Sequence, residues 1–291
     1  MGEFTSQLPQ LLVNGITLGS IIALAAVGLT LTYGILKLAN FAHGDFMTLG
    51  AYLTLVVVQL GVNIWPAMVV GALLTVALMV LCEKLLWAPM RDRKTTPTTL
   101  IVISIGLALV IRNGIIFIWG GSNQPYGLPI PYPQKILGVN VGFYNIIVVI
   151  LAVVAIAALH LLLQRTKIGK AMRAVADNVD LARVTGIDVE RVVLWTWIIA
   201  GSLTALGGGL YGLITDPRPN MGWFLILPMF AAVILGGIGN PYGAIAGAMV
   251  IGIAQEVSVP LLGGEYKLAV ALLLMVLVLL LRPQGIFKGT M

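Results

Sequence analysis

Nine polar or ionisable residues stand within or beside otherwise apolar runs: Asn40, His43, Asp45, Glu83, Lys84, Arg112, Asn113, His160 and Glu256. Charged and polar groups at membrane depth are costly to desolvate, so each is a candidate for an ion, proton or substrate pathway. Asn40, His43 and Asp45 cluster with Phe41 and Gly44 in the stretch NFAHGDF. Plainer roles also exist. Glu83, Lys84 and His160 fall near expected helix ends, where long side chains can reach water. Arg112 and Glu256 both fall toward the expected outer ends of their runs and could pair with each other.

Two histidines and scattered acids supply no HExxH or comparable ligand spacing, so no metal site is expected. No GxxxxGK[ST] loop is present to cradle a nucleotide, and no GxSxG elbow to expose a nucleophile. An enzymatic role therefore has no constellation behind it, and if the chain pumps, its energy comes from another subunit.

The elements around these residues are set by composition. Of 291 residues, 59% are hydrophobic and 10% charged, against about 25% charged in a typical soluble domain. Lipid must be the solvent for most of this chain. Apolar runs at roughly 11–33, 45–62, 65–87, 98–119, 143–163, 192–214, 223–238, 242–258 and 266–281 approach the about 20 residues that a spanning helix needs. The expected fold is an all-α polytopic membrane protein of eight to nine membrane segments, forming a single domain over 1–291. The N-terminus, MGEFTSQLPQ, has an acid and no basic region, which argues against a cleavable signal. With one cysteine, Cys82, no disulfide framework is possible. No basic stripe with interleaved aromatics suggests nucleic acid.

Lys and Arg mark the cytoplasmic side. Lys37; Arg91, Arg93 and Lys94; the loop 165–191; and Arg282 with Lys288 fall on one side under alternate crossing, while the other side receives only Lys135, Arg218 and Lys267. The expected topology has the N-terminus outside and the C-terminus in the cytoplasm.

Two stretches depart from plain spans. The run 223–238 is short, carries Pro228 and ends in GGIGNPYGAIAGA. It reads either as a helix broken near the midplane, with freed backbone groups facing a cavity, or as a short tilted helix with a tight turn. The outer loop 120–142 holds Pro125, Pro129, Pro131 and Pro133, so it is an ordered cover that caps helix ends or receives a soluble partner. Small residues four apart (Gly15 and Gly19; Gly208 and Gly212; Gly239, Gly243 and Gly247; then Ala244, Ala248 and Gly252) permit close helix packing within one subunit, or line an interface or path.

The segment Arg165 to Arg191 holds six of the seventeen basic residues. Ile168, Ala171, Met172 and Val175 form one apolar helical face. Asp177 or Asn178 can cap a second short helix, Gly186 can end it, and Asp188 can cap the next membrane helix. Helices this short are marginal in water and must dock on the bundle, on lipid or on a partner. Four acids reduce the segment to +2, more than a simple lipid anchor requires.

TKIGKAMRAVADNVDLARVTGIDV resembles the cytoplasmic loop of permeases of the branched-chain amino acid ABC importers. YGILKLANFAHGDFMTLGAY, GGIGNPYGAIAGA and LRPQGIFKG resemble further segments of that family, in the same order and over nearly the whole chain, in the form of its shorter, LivH-type subunit. The resemblance implies a permease of the bacterial inner membrane that carries branched-chain or other neutral amino acids by alternating access. Implied partners are a second related permease, two cytoplasmic ATPases and a periplasmic substrate-binding protein. ATP and Mg would be bound by the ATPases, leaving no cofactor in this chain. It further implies that Gly169, Arg173, Ala174, Asp177, Asn178, Ala182 and Gly186 lie in an ATPase-coupling segment. The translocation path is expected around Asn40, Phe41, His43, Gly44 and Asp45 and around the break at Gly236, Gly237 and Gly239. Alternatives are a urea or short-amide permease of the same family, or a self-sufficient secondary transporter.

Overall fold

The computed structural model describes residues 2–129, 132–136 and 138–287; Lys288 and Gly289 of the expected cytoplasmic tail, and Pro131 of the outer loop, lie outside the described residues. The chain is predominantly helical. In order it forms α1 (Gly2–Leu36), α2 (His43–Gln59), α3 (Ile64–Cys82), a π-helical stretch (Glu83–Trp87) continued by α4 (Ala88–Asp92), and α5 (Pro97–Trp119). The loop that follows carries a two-stranded antiparallel ribbon, β1 (Gln134–Ile136) and β2 (Val139–Val141), with Gln134 opposite Val141. Then come α6 (Phe143–Arg165), α7 (Lys167–Asp177), α8 (Val179–Val184), α9 (Val189–Thr215), α10 (Met221–Gly236), α11 (Pro241–Val257), α12 (Val259–Leu262) and α13 (Lys267–Leu281).

Among the described residues, seven helical segments are long and apolar enough to cross a membrane: Gln7–Leu36, Ile64–Asp92, Pro97–Trp119, Phe143–Arg165, Val189–Thr215, Pro241–Leu262 and Gly264–Leu281. The chain is thus an integral membrane protein. Large apolar side chains such as Val69, Val110, Phe117, Val153 and Leu280 are exposed on the bundle surface, as expected of a surface that faces lipid or another membrane subunit. The remaining two apolar runs become the shorter helices α2 and α10, of 17 and 16 residues.

These two helices begin inside the bundle. After Leu36 the chain reverses at Lys37, a non-glycine residue at φ 53°, and returns along α1 without helical structure. His43 then lies against Ala25, with Nε2 2.9 Å from its carbonyl oxygen. Ala25 is eleven residues before the end of α1, about 16 Å at 1.5 Å per residue. The second half repeats the device. Asp216, also at positive φ (57°), reverses the chain after α9. Gly222, in the first turn of α10, then donates its N–H to Thr48 Oγ1 at 3.0 Å. The order of long helix, re-entrant stretch, short helix and two further helices therefore occurs twice: α1, α2, α3 and α5, then α9, α10, α11 and α13. Gln10 at the start of α1 accepts a hydrogen bond from Asn140 in the long loop, whereas α9 starts beside α7 and α8, so the two halves run in opposite directions. Inverted repeats with discontinuous helices are a recurring transporter architecture.

The small-residue stripes serve packing within this chain. A Cβ on Gly15 or Gly19 would meet the backbone of α11 at Ile253 or Met249, and one on Gly252 would meet Gly19. Gly208 faces Met47, Gly212 faces Tyr126, and Gly243 and Gly247 face Gly236 and Ala232. Small residues let the backbones approach this closely, and the resulting van der Waals packing holds the helices together in a solvent that supplies no hydrophobic drive.

Candidate functional site

The centre of the bundle is built by the two short helices. Gly44 and Gly222, each in the first turn of its helix, lie backbone to backbone, and a Cβ on either would enter the other's carbonyl group. From this crossing α2 leaves toward the long loop, where Tyr126 Oη donates to Ala51 O at 3.1 Å, and α10 leaves toward the end that carries α7 and α8. Two helix N-termini thus converge at mid-bundle, where their dipoles favour negative charge. Asp45 supplies it. Its carboxylate accepts from Arg112 Nε at 3.0 Å and Nη2 at 3.1 Å, and the guanidinium lies 4.3 Å from the ring centroid of Trp223 on α10. The side chain of Asp45 is 1% exposed and that of Arg112 11%. One bidentate pair therefore ties α5 to the start of α2 and, through the Trp223 face, to the start of α10.

The rest of NFAHGDF anchors the re-entrant stretch. Phe41 N–H donates to Ser104 Oγ on α5 at 3.1 Å, the Phe41 and Phe230 rings stand 4.8 Å apart, and His43 Nε2 is 2.8 Å from Thr204 Oγ1. Asn40 and His43 are fully buried, and the Asn40 Nδ2 and His43 Nδ1 atoms have no hydrogen-bond partner among the described residues.

Several sequence expectations are corrected here. Arg112 does not pair with Glu256: its partner is Asp45, and Glu256 Oε1 instead meets Lys267 Nζ at 2.6 Å. Glu83 is not solvated at a helix end. It is buried, accepts from Trp197 Nε1 at 2.7 Å, and pairs with Arg91. The π-helical stretch widens α3 at this residue, as such turns often do where a side chain must be re-aimed. Lys84 and His160 are exposed, and His160 Nδ1 is 2.8 Å from Tyr242 Oη. Among the described residues, no three His, Cys, Asp or Glu side chains come together as a metal site.

The second expected path element, the glycine break, is a packed junction. Gly236 and Gly237 are buried. Ile286 and Phe287 donate their N–H groups to the Leu235 and Gly236 carbonyls at 2.9 and 3.2 Å, so the C-terminal tail satisfies the open end of α10. Gly239 N–H donates to Thr30 Oγ1 at 2.9 Å, and Asn240 caps α11 through Tyr242 N and Gly243 N.

The basic segment forms two capped helices. Thr166 accepts from Gly169 N, Asn178 from Leu181 N and Asp188 from Arg191 N. Of the sequence alternatives, Asn178 rather than Asp177 is the cap. Gly186 sits at φ +85°, the left-handed position that glycine tolerates without strain. Met172 and Val175 are buried, as is Ala182. Gly169 packs against the Leu162 and Leu163 backbone. Arg173 donates to Gln164 Oε1 at 3.1 Å. Arg173, Asp177, Asn178 and Gly186 are exposed, and beside them Leu181 and Val184 stand 62% and 85% exposed. The sequence reading missed these two. The signal was present, because with Ala182 packed inward a six-residue helix must turn Leu181 and Val184 outward.

At the opposite end a cavity of about 510 Å³ opens between α1, α9, α10, α11 and the start of α13, with Glu256 and Lys267 in its wall.

A family described as the permease component of the branched-chain amino acid transport system matches residues 11–279. The chain is 30% identical to the high-affinity branched-chain amino acid transport system permease protein BraD of Pseudomonas aeruginosa, over 95% of this chain and 94% of that protein. It is 31% identical to LivH of Escherichia coli, of the same description and with the same coverage. A third relative, the probable branched-chain amino acid transport permease protein LivH of Methanocaldococcus jannaschii, is also 31% identical, over 95% of this chain and 91% of its own. Among solved structures, a chain of PsaBC from Streptococcus pneumoniae in complex with Fab shares the fold, with a TM-score of 0.55 and 14% identity over 97% of this chain and 96% of that one.

Proposed function

The chain belongs to the branched-chain amino acid transport system permease family, and from that membership we propose that it is the membrane subunit of an ATP-driven importer of branched-chain or other neutral amino acids. Its partners are a second related permease, two ATPases that bind ATP and Mg, and a soluble binding protein that delivers substrate. It resides in the bacterial inner membrane with nine membrane segments, two of which, α2 and α10, start at mid-depth. The N-terminus faces outward, and α7, α8 and the C-terminus face the cytoplasm. It is not itself an enzyme.

The observation that carries the transport reading is the meeting of α2 and α10 at Gly44 and Gly222. Two inverted halves joined at one central crossing can rock against each other around a fixed middle, which is how alternating access is built in repeat transporters. The basic distribution supports the orientation. The α7–α8 pair supports the coupling role: its buried face fixes it to α6 and α9, so a push on its exposed face moves the bundle. The names borne by the relatives favour an amino acid over urea or a short amide.

The test is reconstitution in liposomes with the partner subunits. ATP hydrolysis and uptake should both rise with leucine, isoleucine or valine plus binding protein, and the chain without ATPases should give no flux. Gradient-driven flux by the chain alone would instead support a secondary transporter.

A further inference from the structure

The cavity between α1, α9, α10, α11 and α13 has a composition that the transport reading does not by itself explain. Its volume, about 510 Å³, falls within the roughly 300–1,000 Å³ of small-molecule sites. Phe224, Leu225 and Pro228 of α10 make an apolar wall, Glu256 and Lys267 bring a pair of opposite charges, and Glu265 adds a second carboxylate. The two charges are 2.6 Å apart, and their side chains are 14% and 35% exposed. Gln255 Nε2 donates to Lys267 O at 3.1 Å, which fixes the start of α13 to α11 and holds the two charges in register.

The corresponding place in the first half sharpens the contrast. Glu83 follows α3 as Glu256 ends α11, and it too has a basic partner, Arg91. There Glu83, at 8% side-chain exposure, also accepts a hydrogen bond from Trp197 Nε1. The pair in the second half lines an open cavity.

We propose that this cavity is a docking site for a neutral amino acid zwitterion, with Glu256 receiving the ammonium, Lys267 the carboxylate and the α10 wall the apolar side chain. The proposal rests on the transport reading and extends it to a place on this chain. A zwitterion replaces one internal ion pair by two, and it leaves the net charge of the cavity unchanged. An acidic amino acid would add an anion to a cavity that already holds the Glu265 carboxylate beyond the pair, and a neutral apolar molecule would have to break the pair without replacing it. Such penalties disfavour acidic and uncharged ligands relative to a zwitterion. The apolar wall adds preference for a hydrocarbon side chain.

The test uses the complex assembled with its ATPases and binding protein. Cys82 is the chain's one cysteine, so Cys82→Ser with Phe224→Cys gives a single reporter thiol in the cavity wall. At leucine about nine times its dissociation constant, thiol-reagent labelling should slow about tenfold, as 1 + [L]/Kd requires when only the empty site reacts. Isopentylamine, which lacks the carboxylate, and 4-methylpentanoate, which lacks the ammonium, should not protect. Glu256→Gln and Lys267→Met should each abolish protection by leucine, and the exchange Glu256→Lys with Lys267→Glu, which keeps both charges, should restore part of it. Leucine-stimulated uptake with no protection at position 224 would overturn the site while leaving the transport reading standing. Protection without any leucine-dependent uptake would overturn the transport reading and leave the site.

Discussion

Asp45 and Arg112 form a two-hydrogen-bond ion pair, 3.0 and 3.1 Å long, at the point where α2 begins in the middle of the bundle. Neither residue could be neutralised by water there, since their side chains are 1% and 11% exposed. Removing one partner of a buried pair leaves the other charge without compensation, at a cost of about 3–5 kcal/mol. Asp45→Asn and Arg112→Met should each lower thermal stability in detergent strongly. The double variant should lose far less than the sum, because it strands no charge. Additive losses in that cycle, measured by unfolding of the purified protein, would mean that the pair contributes nothing as a pair.

The contact of Gly44 with Gly222 leaves no room for a methyl group on either side. A Cβ at Gly222 would lie within bonding reach of the Gly44 carbonyl group, and backbone on both sides cannot rotate away. Overpacking of a tight core costs about 1–3 kcal/mol or more. Gly222→Ala and Gly44→Ala should therefore each reduce uptake in the reconstituted complex by well over the loss seen for Gly114→Ala, a helical position with nothing within 4 Å. Equal uptake by all three would separate the crossing from transport.

How far such a site can be read in advance depends on what carries the signal. The capped helices of the basic segment were legible because caps are local. Asn178, Gly186 and Asp188 act on residues within three or four positions of themselves. The pairing of Asp45 with Arg112 spans 67 residues, and a lone charge in an apolar run does not name its partner. The mid-bundle start of α2 was likewise hidden: beyond Asp45 the run to 62 is mostly apolar, and nothing in hydropathy tells a half-depth helix from a full crossing. The reversal at Lys37 has no glycine to announce it. At Asp216 the same holds, and the sequence of 223–238 offers a break at its glycine-rich end as one of two readings, whereas the mid-bundle discontinuity sits before its first turn.

Glu83 and Arg91 give a prediction with a sign. Glu83 is 8% exposed at its side chain and Arg91 32%. If Glu83 is made neutral, Arg91 can swing into solvent, while Gln at position 83 can still accept from Trp197 Nε1. If Arg91 is removed, the buried carboxylate keeps its charge and loses its cation. Arg91→Met should thus destabilise more than Glu83→Gln, and Trp197→Phe should fall in the range of about 1.5–3 kcal/mol for a hydrogen bond to a charged group. The order is read from melting temperatures of the three purified variants, and a larger loss for Glu83→Gln would show that the guanidinium cannot reach water.

The exposed pair Leu181 and Val184 bears on how a motor would grip this protein. Both stand on the outward face of α8, while Ala182 anchors its inward face. An apolar pair on a helix that also carries Asp180 and Arg183 and is capped by Asn178 offers a greasy contact flanked by charge, the pattern of a small binding surface. Leu181→Asp and Val184→Asp should leave the bundle folded, because neither side chain is buried, yet abolish co-purification of the ATPases and ATP-dependent uptake. Asn178→Ala acts differently. It removes one cap, worth about 1 kcal/mol, and should loosen α8 without deleting its contact surface, so assembly should weaken in part and recover at higher ATPase concentration. Full assembly by the Asp variants would place the gripping surface elsewhere on this face, whereas failure of Asn178→Ala to recover would make the cap residue itself a contact.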